Sequence, residues 1–128
     1  MQSYEGGTVE ILIVGTITVD PERRDALLAA IRPLVQKTRQ EEPGCLEYAF
    51  TADTVDDNRI IVVERWQDES TLAAHFMHPN FLATKNTLHD LGSGKSVIRK
   101  YRVDVSEPVR DSEKRYRADF FTIVEERS

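Results

Sequence analysis

The chain has 128 residues, 40% hydrophobic and 30% charged, with 22 acidic against 17 basic side chains and a net charge of -5; this is the balance of one soluble globular domain with a single core. The charges are interspersed, which argues against nucleic acid or an anionic membrane as partner, since both need a concentrated basic surface. A lone cysteine, Cys45, a polar Met1–Gly7 and the lack of any apolar run of membrane-spanning length make the cytoplasm the expected location.

From Val9 to Val19 the residues alternate, with Val9, Ile11, Ile13, Ile17 and Val19 on one side and Leu12, Val14, Thr16 and Thr18 on the other, which predicts a strand with two apolar faces. Asp20 followed by Pro21 predicts a helix capped by Asp20. Leu27, Ile31, Leu34, Val35 and Thr38 form its buried stripe up to Pro43-Gly44, with a kink or break at Pro33. Leu46, Tyr48 and Phe50, opposed to Cys45, Glu47 and Ala49, form a second strand, and the polar turn Asp53–Asn58 leads into a β-branched third strand from Ile60 to Trp66. Asp68 caps a second helix carrying Leu72, His75 and Phe76, which Pro79 interrupts; Asn80 is placed as the cap of a further short helix with Phe81, Leu82, Leu88 and Leu91. After Gly92-Ser93-Gly94 a fourth strand runs from Val97 to Val105.

The order strand, helix, strand, strand, helix, strand predicts an α+β fold: a ferredoxin-like βαββαβ antiparallel sheet with helices on one face. Because the first and third strands are apolar on both sides, the uncovered face calls for a partner, best supplied by a second copy packed sheet to sheet. The expected organisation is a tail over residues 1–8, a domain over 9–105, and an extension over 106–128. In that extension Pro108 and the charged run Arg110–Arg117 link to Phe120, Phe121, Ile123 and Val124, which dock on the domain or cross to the partner.

Three stretches, Glu42-Pro43-Gly44-Cys45-Leu46-Glu47-Tyr48, Glu64-Arg65-Trp66-Gln67-Asp68 and Leu72-Ala73-Ala74-His75-Phe76, fall in an order that resembles the antibiotic biosynthesis monooxygenase family over roughly residues 9–105. The resemblance implies a dimeric α+β barrel and a ligand cavity lined by Trp66. Its members include oxygenases that convert phenols or hydroquinones to quinones without metal or flavin, and haem-degrading enzymes. The reading it supports is a monooxygenase acting on a small aromatic, quinol-type substrate with molecular oxygen as a homodimer; the alternatives are a binding protein without chemistry, or a haem binder using His75.

The candidate catalytic residues are His75, whose ordinary pKa lies near neutrality, and Glu64, as its orienting partner or as the base itself. Tyr48, Trp66 and Phe76 are candidate walls, and Arg99 and Tyr101 on the last strand are candidates for holding a substrate oxygen. The plain alternatives are core packing for the aromatic residues and His75, a salt bridge to Arg99 or Lys100 for Glu64, and a solvated edge arginine for Arg99. His75 and His78 have a metal-like spacing that Pro79 disrupts, so no metal is expected. The lack of a glycine-rich phosphate loop argues against a tightly bound nucleotide or flavin, and Cys45 reads as a small packing residue.

Overall fold

A computed structural model describes residues 9–122; the expectations that fall on the N-terminal tail and on Ile123 and Val124 lie outside the described residues. Seven elements follow one another: β1 (Glu10–Thr18), α1 (Arg24–Glu41), β2 (Cys45–Ala52), β3 (Arg59–Trp66), α2 (Glu69–Met77), α3 (Pro79–Asp90) and β4 (Ser96–Val103). The strands form one antiparallel sheet in the order β2-β3-β1-β4. This is the expected ferredoxin-like arrangement, with the second helical region divided in two by Pro79.

The two-residue period decides which side chains go under the helices. Ile11, Ile13 and Ile17 of β1 and Ile60, Val62, Glu64 and Trp66 of β3 are buried on that face. One half of the core gathers Ile17, Val19, Leu27, Ile31, Ile60 and Val62, and the other gathers Ile11, Ile13, Tyr48, Trp66 and Leu72; Val35 and Phe50 pack against both. The opposite face carries Leu12, Val14 and Thr16, Ile61, Val63 and Arg65, and Val97, Arg99 and Tyr101, and among the described residues no element packs over it.

Local chemistry corrects several sequence expectations. Asp20 caps a turn, not the helix: its Oδ1 accepts the Glu22 N–H at 2.9 Å, its carbonyl accepts the Arg23 N–H, and α1 begins only at Arg24. Pro33 leaves α1 in one piece from Arg24 to Glu41; Pro33 and Ala29 both lie on the exposed side, where water can serve the carbonyl that loses its partner. In β2 a register shift between Cys45 and Glu47 breaks the alternation, so Cys45 faces Trp66 alongside Tyr48 while Leu46 is exposed. The cap of α3 is His78, not Asn80: Pro79 occupies the first helical position, which needs no N–H, and the His78 Nδ1 accepts the Asn80 N–H at 3.0 Å. Asp68 does cap α2, in a reciprocal box with Thr71.

Gly44 joins these elements. It has a φ of +87°, and a Cβ there would sit 2.5 Å from the Thr71 side chain, so only glycine lets the α1–β2 corner approach the start of α2 this closely. The Gly44 carbonyl accepts the Gln67 N–H at 2.8 Å. The end of α1 is thereby held against α2.

Beyond β4, Glu107–Thr122 is a loop organised by its own carboxylates. Asp111 accepts from the Glu113 and Arg115 amides and pairs with the Arg115 and Arg117 guanidinium groups. Glu107 accepts from the amides of Phe121 and Thr122. Val109, Tyr116 and Phe120 remain exposed.

Candidate functional site

Glu42 and His75 are brought together by the corner that Gly44 permits. The His75 Nδ1 lies 2.7 Å from Glu42 Oε1, and both side chains are almost wholly buried. A carboxylate only accepts, so the ring carries its proton on Nδ1 and its lone pair on Nε2. Burial holds the His75 pKa below the ordinary value, and the Glu42 carboxylate only partly offsets it. The second Glu42 oxygen accepts from Asn80 Nδ2 at 3.1 Å. His78 Nδ1 also lies 3.6 Å from that oxygen, but its lone pair is engaged by the Asn80 N–H, so it has no proton there to share with Glu42.

Aromatic rings enclose the imidazole. Trp66 lies 4.5 Å away between centroids with planes 33° apart, Phe81 and Tyr48 approach edge-on at 5.1 and 5.3 Å, and Phe76 stands at 5.8 Å. Enclosed in this way, His75 is 1% exposed. An iron could reach its Nε2 only after a neighbouring ring moved aside. Among the described residues no group of three or more His, Cys, Asp and Glu side chains is arranged to hold a metal ion.

Glu64 sits beside this cage with a different partner. Its Oε1 accepts the Trp66 indole N–H at 2.9 Å inside the core. Burial pushes its pKa up to about 7; the indole hydrogen bond opposes this and the nearby Glu42 charge adds to it. Tyr48, opposite Glu64 in the β2–β3 register, has its phenol pushed well above the usual range by burial, with Glu64 and Glu42 reinforcing the shift. The Cys45 thiol is raised to about 11, first by burial, which leaves it protonated and poorly nucleophilic at neutral pH.

Two clefts open next to this cluster. One, of about 350 Å³, lies between α3 and the sheet and is lined by Tyr48, Glu64, Phe81, Thr84 and Leu88, with Ile98 of β4 on its far side. The other, of about 430 Å³, lies between α2 and the β1–β4 edge, with Leu72, Phe76 and Tyr101 in its walls. Trp66 and His75 line neither; they stand behind Glu64 and Tyr48. Next to the first cleft, a Cβ at Gly15 would come within 2.4 Å of the Ile98 backbone, so glycine there lets β4 lie close against β1.

The chain matches the family model for antibiotic biosynthesis monooxygenase over residues 10–87. It belongs to that family. It is 32% identical over 65 residues to YcnE of Bacillus subtilis, provisionally assigned as a monooxygenase, covering 51% of this chain and 67% of that one. The uncharacterised protein sll1783 of Synechocystis is 28% identical over 102 residues, 80% of this chain and 69% of the relative. Among solved structures, a provisionally assigned antibiotic biosynthesis monooxygenase from Caulobacter crescentus superposes with a TM-score of 0.69 at 25% identity, over 78% of this chain and 92% of the other. One of the same description from Deinococcus radiodurans gives 0.70 at 21% identity, over 79% and 99%.

The structure gathers the sequence candidates unevenly. Trp66, His75, Tyr48, Glu64 and Phe76 share the helix-covered side of the sheet. Arg99 does not join them: it pairs with Val14 in the β1–β4 register and so lies on the open face. Tyr101 pairs with Leu12 on that face and reaches only the α2 cleft at the sheet edge. Glu64 neither orients His75, a role filled by Glu42, nor pairs with Arg99 or Lys100, because β1 lies between β3 and β4. Glu42 is the functional candidate that sequence reasoning missed. A glutamate at the C-cap of a helix opposes the helix dipole, and that conflict was the available signal.

No helix among the described residues is long and apolar enough to cross a membrane.

Proposed function

We propose that this protein is a monooxygenase acting on a small hydroxylated aromatic compound, with Glu64 as the base that meets the substrate. The observation that carries the reading is a buried carboxylate at the wall of an apolar cleft, fixed through one oxygen by the Trp66 indole. A base poised near neutrality can both take and return a proton. The substrate hydroxyl gives its proton to Glu64, and the resulting electron-rich anion transfers electrons to oxygen, which bonds to a ring carbon. Loss of water then leaves a second carbonyl. One O–H and one C–H are consumed, one oxygen atom enters the product, and the other departs as water.

The Glu42–His75 pair supports this step from behind the wall. A neutral imidazole stacked near Trp66 leaves the Glu64 site without an added positive charge, which keeps the carboxylate basic. Tyr48, held as the phenol, and the apolar residues Val62, Phe81 and Leu88 limit water around the reactive anion. No tightly bound cofactor takes part in this scheme.

The proposal includes a homodimer. The apolar open face bearing Leu12, Val14, Ile61, Val63, Val97 and Tyr101 has no cover among the described residues, and a two-fold copy packed sheet to sheet would bury it. Arg99 would then lie in the interface.

Oxygen uptake over a panel of naphthols and hydroquinones tests the reaction. Turnover that falls by about 10²-fold or more in Glu64→Gln, with the ligand still bound, is the expected result. Ligand binding without oxygen uptake across the panel would instead identify a binding protein that performs no chemistry.

A further inference from the structure

The α3 cleft has two chemically different ends. Phe81, Thr84, Lys85, Leu88 and His89 line it at the spacing of a single helix face, so it runs along the helix axis for roughly 12 Å between Phe81 and His89 at 1.5 Å per residue. At the Phe81 end stand Glu64 and Tyr48, both buried. The middle is apolar, with Ile17, Phe50, Val62 and Ile98. Lys85 stands one helical turn beyond Phe81, midway along the cleft, and at the other end the lining turns polar, with His89, Ser93 and Ser96.

Lys85 is the only side chain of fixed positive charge in that lining, and among the described residues it has no ion-pair or hydrogen-bond partner. Several other cations of the chain are committed: Arg24 to the carbonyls of the β2–β3 turn, Arg39 to the Tyr48 carbonyl, Arg59 to Asp53 and Asp56, and Arg65 to Glu10. An uncommitted ammonium on an exposed residue of an apolar slot, with two serines further along the same lining, is complementary to an anion on a ligand whose body fills the slot.

We propose that this cleft selects an aromatic carboxylate: a ring system with its hydroxyl at Glu64 and its carboxylate toward the opposite end, held by Lys85 with Ser93 and Ser96. The inference rests on the reading of this cleft as the substrate site and adds the charge of the substrate to it. A volume of about 350 Å³ is at the low end for small-molecule sites, so one or two fused rings fit better than a polycyclic frame. The inner end strengthens the polarity of the choice, since a second carboxylate beside Glu64 and Glu42 would meet like charge.

Calorimetric titration of the full chain with 6-hydroxy-2-naphthoate, 2-naphthol and 2-naphthoate tests the assignment. The hydroxynaphthoate is expected to bind about fivefold more tightly than 2-naphthol at low salt, and Lys85→Gln is expected to remove that difference. Added salt should shrink it in the parent protein, because the ammonium is on an exposed residue. Lys85 is exposed, so its replacement leaves the core intact. Equal affinities for the two hydroxyl ligands in the parent, or a carboxylate preference that persists in Lys85→Gln, would overturn the proposal. The readout is independent of turnover: a carboxylate preference without oxygen uptake sinks the monooxygenase reading alone, and uptake with no such preference sinks this one alone.

Discussion

Replacing Glu64 by glutamine removes one titration from the folded protein while leaving an oxygen to accept the Trp66 indole hydrogen. In the parent, the carboxyl has its ordinary value of 4.5 when unfolded and about 7 when folded, because burial outweighs the indole hydrogen bond. The folded state therefore holds a proton that the unfolded chain has lost between these values. Stability from this group is fully present below pH 4.5 and is lost as the pH rises toward 7. At 1.36 kcal/mol per pH unit, the span from 4.5 to about 7 corresponds to about 3 kcal/mol. Urea unfolding followed by the fluorescence of Trp66, the only tryptophan, at a series of pH values gives both curves. The difference in unfolding free energy between parent and Glu64→Gln should fall by about 3 kcal/mol between pH 4.5 and 7 and be flat above pH 8. Every other titration is common to the two proteins. Parallel curves over that interval would show that Glu64 ionises inside the fold as it does in water, and the base proposed for the reaction would lose its physical basis.

Four further outcomes follow from the same geometry. Trp66→Phe removes the indole donor that lowers the Glu64 pKa, so the acidic limb of the pH–rate profile should move to higher pH; an unchanged limb would disconnect the two residues. Glu42→Gln should cost about 1.5–3 kcal/mol in urea unfolding, the range for a buried charged hydrogen bond, and should lower the His75 pKa further in an NMR titration, since Glu42 now raises it. Gly44→Ala meets both a positive φ and the Thr71 side chain, so a loss well above 1 kcal/mol is expected, measured by thermal unfolding. Val14→Lys places a charge on the open sheet face and should shift sedimentation toward the monomer while leaving far-ultraviolet circular dichroism unchanged.

Periodicity carried the fold because the helix-covered face demands it: a slip of one residue in β1 or β3 would expose Ile11, Ile13 and Ile17 or Ile60 and Val62. It carried less where backbone groups had local alternatives. Asp20 satisfied a turn before it could serve α1, and the β2 bulge exchanged Leu46 for Cys45 under the helices. Trp66, His75, Tyr48 and Glu64 were legible as neighbours because period and family resemblance pointed to one side of the sheet. Their pairing was not, since it depends on the close approach of the α1 corner to α2, which makes Glu42 and not Glu64 the partner of His75. Arg99 illustrates the reverse: it was placed on the correct strand and chosen for its chemistry, but the β1–β4 register turns it to the far side.

Among the described residues β4 has β1 as its only neighbour in the sheet, and within one protomer its side chains are exposed along nearly its whole length. It is thus the strand with the least to lose by detaching, and local opening should begin there. Because Ser96 and Ile98 form one side of the α3 cleft, transient fraying of β4 is a route by which a ligand enters without any movement of the helices. A ligand lodged against both Leu88 and Ile98 would act as a clasp, visible as slower amide exchange along β4 than in the empty protein.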